Sequence, residues 1–112
     1  MTDAKHTTHD AAEDIRNRDI KIYVNGDIVH RDEAKVSVYD SGFMLGDGMW
    51  EGMRLYHGEW AFFDEHMDRF FASCKSVSLD VGLDRADILD ALAKTAAAND
   101  MHTDVHCRLM LT

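Results

Sequence analysis

Apolar and polar residues alternate along the first part of the chain. Ile20, Ile22 and Val24 interleave with Lys21 and Tyr23, the period of a strand with one buried face. Asn25-Gly26 comes next. Both residues tolerate positive φ, so a type I′ hairpin turn is expected, with Ile28 and Val29 opening the return strand. Residues 35–39 (KVSVY) alternate again and predict a third extended segment. Residues 41–48 (SGFMLGDG) are rich in glycine, which marks tight turns or close backbone approach. Residues 49–57 (MWEGMRLYH) and 60–63 predict two further strands, joined at His57-Gly58-Glu59.

The period then lengthens. With Asp64 as N-cap, Met67, Phe70, Phe71, Cys74 and Val77 fall at i, i+3, i+4, i+7 and i+10, an amphipathic helix. A second helix opens at Asp84, with Asp87 at N3. Its stripe is Ile88, Leu89, Leu92, Ala93 and Ala96, and Asn99-Asp100 ends it. Residues 105–111 return to an extended pattern. The expected fold is α+β, a mostly antiparallel sheet with two helices on one side. Because the last strand reaches Thr112 without a closing turn, the chain reads as the front part of something longer. Residues 1–18 are dense in charge, too poor in apolar side chains to offset ordering entropy. They read as a disordered acidic tail, leaving 19–112 as the folded part.

Composition narrows the function classes. The chain has 112 residues, 46% hydrophobic and 29% charged, which suits one globular domain. Twelve Lys and Arg oppose 21 Asp and Glu, a net charge of -9. Such a surface repels polyanions and argues against nucleic acid as a partner. The apolar runs are far shorter than the ~20 residues that span a bilayer, so no membrane partner is expected. The polar N-terminus is unlike a signal peptide, and two cysteines do not make a secreted framework. A cytoplasmic location follows by elimination.

Several residues could carry chemistry. Gly46-Asp47-Gly48 is not a dinucleotide fingerprint, because Gly52 lies one residue too far on and a strand follows. His102 and His106 have i, i+4 spacing, but in an extended segment their rings would stand ~13 Å apart, too far for one metal ion. Cys74 and Cys107 read as packing thiols. Arg69 points away from its helix stripe, beside His66, where pairing with Glu65 is the plain expectation. Arg54 and Arg108 each sit in an apolar strand, and Glu51 raises the same question. Together the two arginines could form a concave site that grips a carboxylate or phosphate through forked donors, or they could be ordinary surface residues.

The order of these pieces carries more than any one of them. Tyr23-Val24-Asn25-Gly26, the 38–43 block VYDSGF, the 46–54 block GDGMWEGMR, the 65–70 block EHMDRF and the 108–112 block RLMLT follow one another with compatible gaps. From about residue 20 to 112 the chain resembles the N-terminal domain of class IV aminotransferases. These are the fold type IV pyridoxal-phosphate enzymes, among them branched-chain and D-amino-acid aminotransferases and aminodeoxychorismate lyase. The resemblance implies that Arg69, the arginine of the HxxR block, binds the phosphate of pyridoxal 5′-phosphate. It implies that Trp50 lines the substrate side of the cofactor. Arg54 matches the EGxR arginine of the branched-chain type, and Arg108 matches a strand arginine that helps receive a substrate carboxylate. His106 stands where that type often has a tyrosine.

The resemblance also implies a homodimer acting on an amino acid and a 2-oxo acid. None of Lys5, Lys21, Lys35, Lys75 and Lys94 matches the context of the family's Schiff-base lysine, so no catalytic residue is assigned and the chain by itself is expected to be inactive. Glu51-Gly52 and Arg54 favour the branched-chain type. The glycine-aspartate-glycine turn is closer to the D-amino-acid and lyase branches, but Trp50 replaces the tyrosine of the D-amino-acid enzymes. A small non-enzymatic dimerising domain is the alternative outside enzymes.

Overall fold

The computed structural model describes residues 14–112; the tail expected over 1–18 lies mostly outside these. Within it, Ile15–Asn17 forms a single 3-10 turn, capped by the Asp14 side chain on the Arg16 N–H. β1 (Lys21–Val24) and β2 (Asp27–His30) then form the expected hairpin, paired Val24 to Asp27. Asn25 and Gly26 have φ of 51° and 96°, as a type I′ turn requires. The hairpin is docked by Asn99, whose side chain accepts from the Lys21 N–H at 2.7 Å and donates to the Lys21 carbonyl at 2.9 Å.

One expectation needs correction in the next stretch. Residues 35–39 form no strand, and Val36, Val38 and Tyr39 are exposed. Alternation specifies a strand only where a neighbour offers a ladder, and none lies alongside. Instead Ser37 builds a turn, accepting from Tyr39 N–H on its hydroxyl and from Asp40 N–H on its carbonyl. The glycine-rich stretch then folds as a third short helix, α1 (Ser41–Leu45). Asp40 caps it through the Gly42 N–H, and Gly46 ends it at φ 75°. Gly42 is needed for a different reason. A Cβ there would lie 2.4 Å from Thr112 Cγ2, and Thr112 also donates to Asp40 at 2.8 Å.

The second sheet has order β4-β3-β5, antiparallel throughout: β3 is Met49–Tyr56, β4 Glu59–Trp60 and β5 Val105–Leu111. β4 is shorter than the pattern over 60–63 predicts, because the chain turns at Phe62, with φ 56°, straight into α2 (Phe63–Ser76). Asp64 is therefore not the N-cap. It sits with Glu65 in the first turn, where a carboxylate still favours the helix dipole. α3 (Arg85–Ala98) starts as expected: Asp84 accepts from Asp87 N–H at 2.8 Å, and the Asp87 side chain accepts from Asp84 N–H at 3.1 Å.

One face of the sheet packs on the helices. Met53, Met67, Phe70, Cys74, Ile88 and Leu92 form the buried core. β3 contributes Met53 and Leu55 from alternate positions, and Cys107, Leu109 and Leu111 of β5 pack against the same cluster. The opposite face of β3 and β5 is open.

Candidate functional site

Alternation along β3 and β5 sorts the candidate residues onto two faces. Trp50 and Arg54 are exposed on β3, and His106, Arg108 and Met110 on β5. The register sets Trp50 opposite Met110, Gly52 opposite Arg108 and Arg54 opposite His106. The sheet thus brings Trp50, Arg54, His106 and Arg108 onto one surface. The Arg108 guanidinium stacks on the Trp50 indole, its Cζ 4.2 Å from the ring centroid, within cation–π range. Arg54 Nε donates to the Tyr56 hydroxyl at 2.9 Å.

His106 lies across Gly52, where an added Cβ would come 2.8 Å from the imidazole Cε1. Gly52→Ala is therefore expected to swing His106 aside at a stability change of about 1 kcal/mol or less, because only a flexible side-chain end must move. Histidine NMR shifts together with thermal unfolding check this. The surface is an open sheet face. Two hollows lie elsewhere, one lined by Phe71 and residues 78–84 and one by Tyr23 and Lys94.

Arg69 belongs to the helix side of the sheet. It does not bond Glu65. Instead its Nε donates to Glu51 Oε2 at 2.9 Å and its Nη2 to Glu51 Oε1 at 2.6 Å. His66, one turn earlier on α2, places Nδ1 2.6 Å from the same Oε1. A carboxylate only accepts, so Nδ1 carries the proton. Glu51 is 5% exposed, whereas the Arg69 side chain is 68% exposed. The guanidinium spends one edge on the buried acid, and its Nη1 has no partner among the described residues.

Arg69, followed by His66, holds the Glu51 carboxyl below its ordinary value of 4.5, against the upward push of burial. A carboxyl whose folded value is depressed stabilises the fold fully above the unfolded value, and this stabilisation is lost as pH falls through the folded one. The gap in melting temperature between wild type and Glu51→Gln is expected to be constant at neutral pH and to close on acidification below about 4.5. A gap that persists unchanged at pH 3 would show that the charge of Glu51 does not hold the fold. Burial raises both thiols, Cys74 and Cys107, as inert packing groups require.

Glu51 and His66 are the partners that sequence reasoning left unassigned. The parity of Glu51 with Met53 and Leu55, and the i, i+3 spacing of His66 and Arg69, are the signals that point to them.

The mixed helix-and-sheet domain has the fold of the N-terminal domain of fold type IV aminotransferases. The amino-transferase class IV family matches residues 48–112, and the chain belongs to that family. A Methanocaldococcus jannaschii protein named as a branched-chain-amino-acid aminotransferase is 40% identical over 93 residues, covering 83% of this chain and 32% of its own length. A D-alanine aminotransferase of Listeria monocytogenes is 34% identical over 84 residues, covering 75% of this chain and 29% of its own. The crystal structure of a branched-chain aminotransferase from Thermoproteus uzoniensis with norvaline superposes with a TM-score of 0.73 at 30% identity, covering 82% of this chain and 32% of that one. The chain thus spans about a third of the length of these relatives. Among the described residues no helix is long and apolar enough to cross a membrane.

Proposed function

We propose that this chain is the small-domain part of a pyridoxal-phosphate-dependent aminotransferase, which moves an amino group between a branched-chain-like amino acid and a 2-oxo acid. The observation that carries the reading is Arg69: a guanidinium anchored on one edge by a buried acid and open on the other. A phosphate dianion suits such a fork, and the unpartnered Nη1 can take it without breaking the Glu51 bonds. When bound, pyridoxal phosphate supplies the electron sink for the chemistry. The chain's own residues hold and orient. Arg69 binds the phosphate, and Trp50 walls the substrate side.

Arg108, over the Trp50 ring, would donate its N–H groups to a substrate carboxylate, with Arg54 and His106 on the same face. Arg108→Ala is expected to raise the KM for the amino donor about 10- to 100-fold, the ~1.5–3 kcal/mol of a charged hydrogen bond, with a smaller change in kcat. An unchanged KM would remove Arg108 from the substrate site.

The remaining two thirds of such a protein would bring the Schiff-base lysine, so this chain alone is inactive in the same reading. A homodimer in the cytoplasm completes it. The reading is tested on protein expressed from the whole coding sequence, incubated with pyridoxal phosphate, 2-oxoglutarate and either L-leucine or D-alanine. Glutamate formed from L-leucine is the expected result. Turnover of D-alanine alone would favour the D-amino-acid branch, consistent with the Gly46-Asp47-Gly48 turn. Pyruvate released from aminodeoxychorismate without an amino acceptor would favour the lyase. No turnover and no cofactor absorbance would favour a non-enzymatic domain.

A further inference from the structure

We propose that Glu51 is a positioning residue that presets the Arg69 fork as a phosphate receptor; this rests on the cofactor reading above. Glu51 is the buried charged residue among the described residues. It occupies the helix-facing row of β3 with Met53 and Leu55, where an apolar residue would pack without penalty. Burying a carboxylate is costly unless it is fully paired, and a hydrophobic replacement of a buried pair is often neutral or stabilising. Stability therefore gives a poor reason for an acid here.

Geometry gives a better one. Both carboxylate oxygens are engaged, Oε2 by Arg69 Nε and Oε1 by Arg69 Nη2 and His66 Nδ1. His66 stops the carboxylate from swinging, and the carboxylate stops the guanidinium from swinging. A side chain as exposed as Arg69 would otherwise sample many rotamers, and binding an anion would have to freeze them. The buried acid orders the fork in advance and leaves its Nη1 without a partner among the described residues. The carboxylate also subtracts positive charge from the fork. If charge were its whole effect, removing it would tighten phosphate binding; if orientation dominates, removing it weakens binding. The two accounts predict opposite signs.

The experiment measures dissociation constants for pyridoxal 5′-phosphate and for pyridoxal, by absorbance titration of protein expressed from the whole coding sequence. Their ratio reports the phosphate contact alone. Glu51→Gln is expected to lower the preference for the phosphorylated form about tenfold, with pyridoxal affinity unchanged. In an Arg69→Ala background the same substitution is expected to have no further effect. Glu51→Asp keeps the charge but withdraws it by a methylene, and is expected to lower the preference likewise; it serves if Glu51→Gln does not fold. A preference that is unchanged or rises, or that falls equally without Arg69, overturns the positioning role. If Arg69→Ala itself leaves the preference intact, the cofactor reading fails and the positioning role falls with it. If Arg69→Ala abolishes the preference and Glu51→Gln does not alter it, the positioning role alone fails.

Discussion

Phe70→Ala is expected to destabilise the fold by about 3–5 kcal/mol, the range for deleting a buried aromatic ring and leaving a cavity. Phe70 is 1% exposed and sits in the core with Met53, Met67 and Cys74. It meets Phe71 edge-on, ring centroids 5.9 Å apart, a geometry that adds to area burial. A domain of this size holds roughly 5–15 kcal/mol in total, so the change removes a large fraction of it. At about 4–8 °C per kcal/mol, the melting temperature falls by tens of degrees. Phe43→Ala provides the contrast. That ring is exposed on α1, and surface changes usually stay within about 0.5 kcal/mol. Circular dichroism melts of the two variants against wild type decide the matter. Equal melting temperatures for both would mean that the α2–β3 contact is not the core.

Much of this core was legible because two periods coincide. The i, i+3, i+7 stripe of Met67, Phe70 and Cys74 and the period-two row of Met53 and Leu55 point to one another, and both are buried. The Asp84–Asp87 box and the Asn25-Gly26 turn were legible because each is satisfied by atoms within four residues. What failed depended on distant partners. The 35–39 segment alternates like a strand, yet no strand lies alongside it. Asp64 reads as a cap, but the brevity of β4 moved the helix start. Close approach, one of the two readings of the glycine-rich stretch, holds at Gly42, but its partner, Thr112, lies 70 positions on in the chain.

The site divided in the same way. Trp50, Arg54, His106 and Arg108 share one face because strand parity and register place them there, and parity is visible in sequence. The partner of Arg69 was not. Helix periodicity offers Glu65 at i−4, whereas the structure gives Glu51 of the central strand. A local pair on the surface would be worth only ~0.3–0.5 kcal/mol. A buried carboxylate competes far better for the guanidinium, since leaving it with the His66 N–H alone would carry a desolvation penalty.

On the proposed reading, Arg69→Ala is expected to carry the largest functional effect. Truncating one partner of a hydrogen-bonded charge pair typically costs 2–5 kcal/mol, so the affinity for pyridoxal 5′-phosphate is expected to fall by about 30-fold or more. Affinity for unphosphorylated pyridoxal is expected to stay within about twofold, since it lacks the phosphate that the fork would hold. The loss also strands Glu51, leaving only the His66 N–H on its carboxylate. A lower melting temperature in the absence of cofactor should accompany the binding defect, and it is separable from that defect because pyridoxal affinity reports the integrity of the site.

That titration, pyridoxal 5′-phosphate against pyridoxal on wild type and Arg69→Ala expressed from the whole coding sequence, bears most directly on the guanidinium at the centre of the account. A strong wild-type preference for the phosphorylated form that vanishes with Arg69 is the predicted result. A wild-type protein that binds neither form, or a variant that keeps the preference, would contradict it.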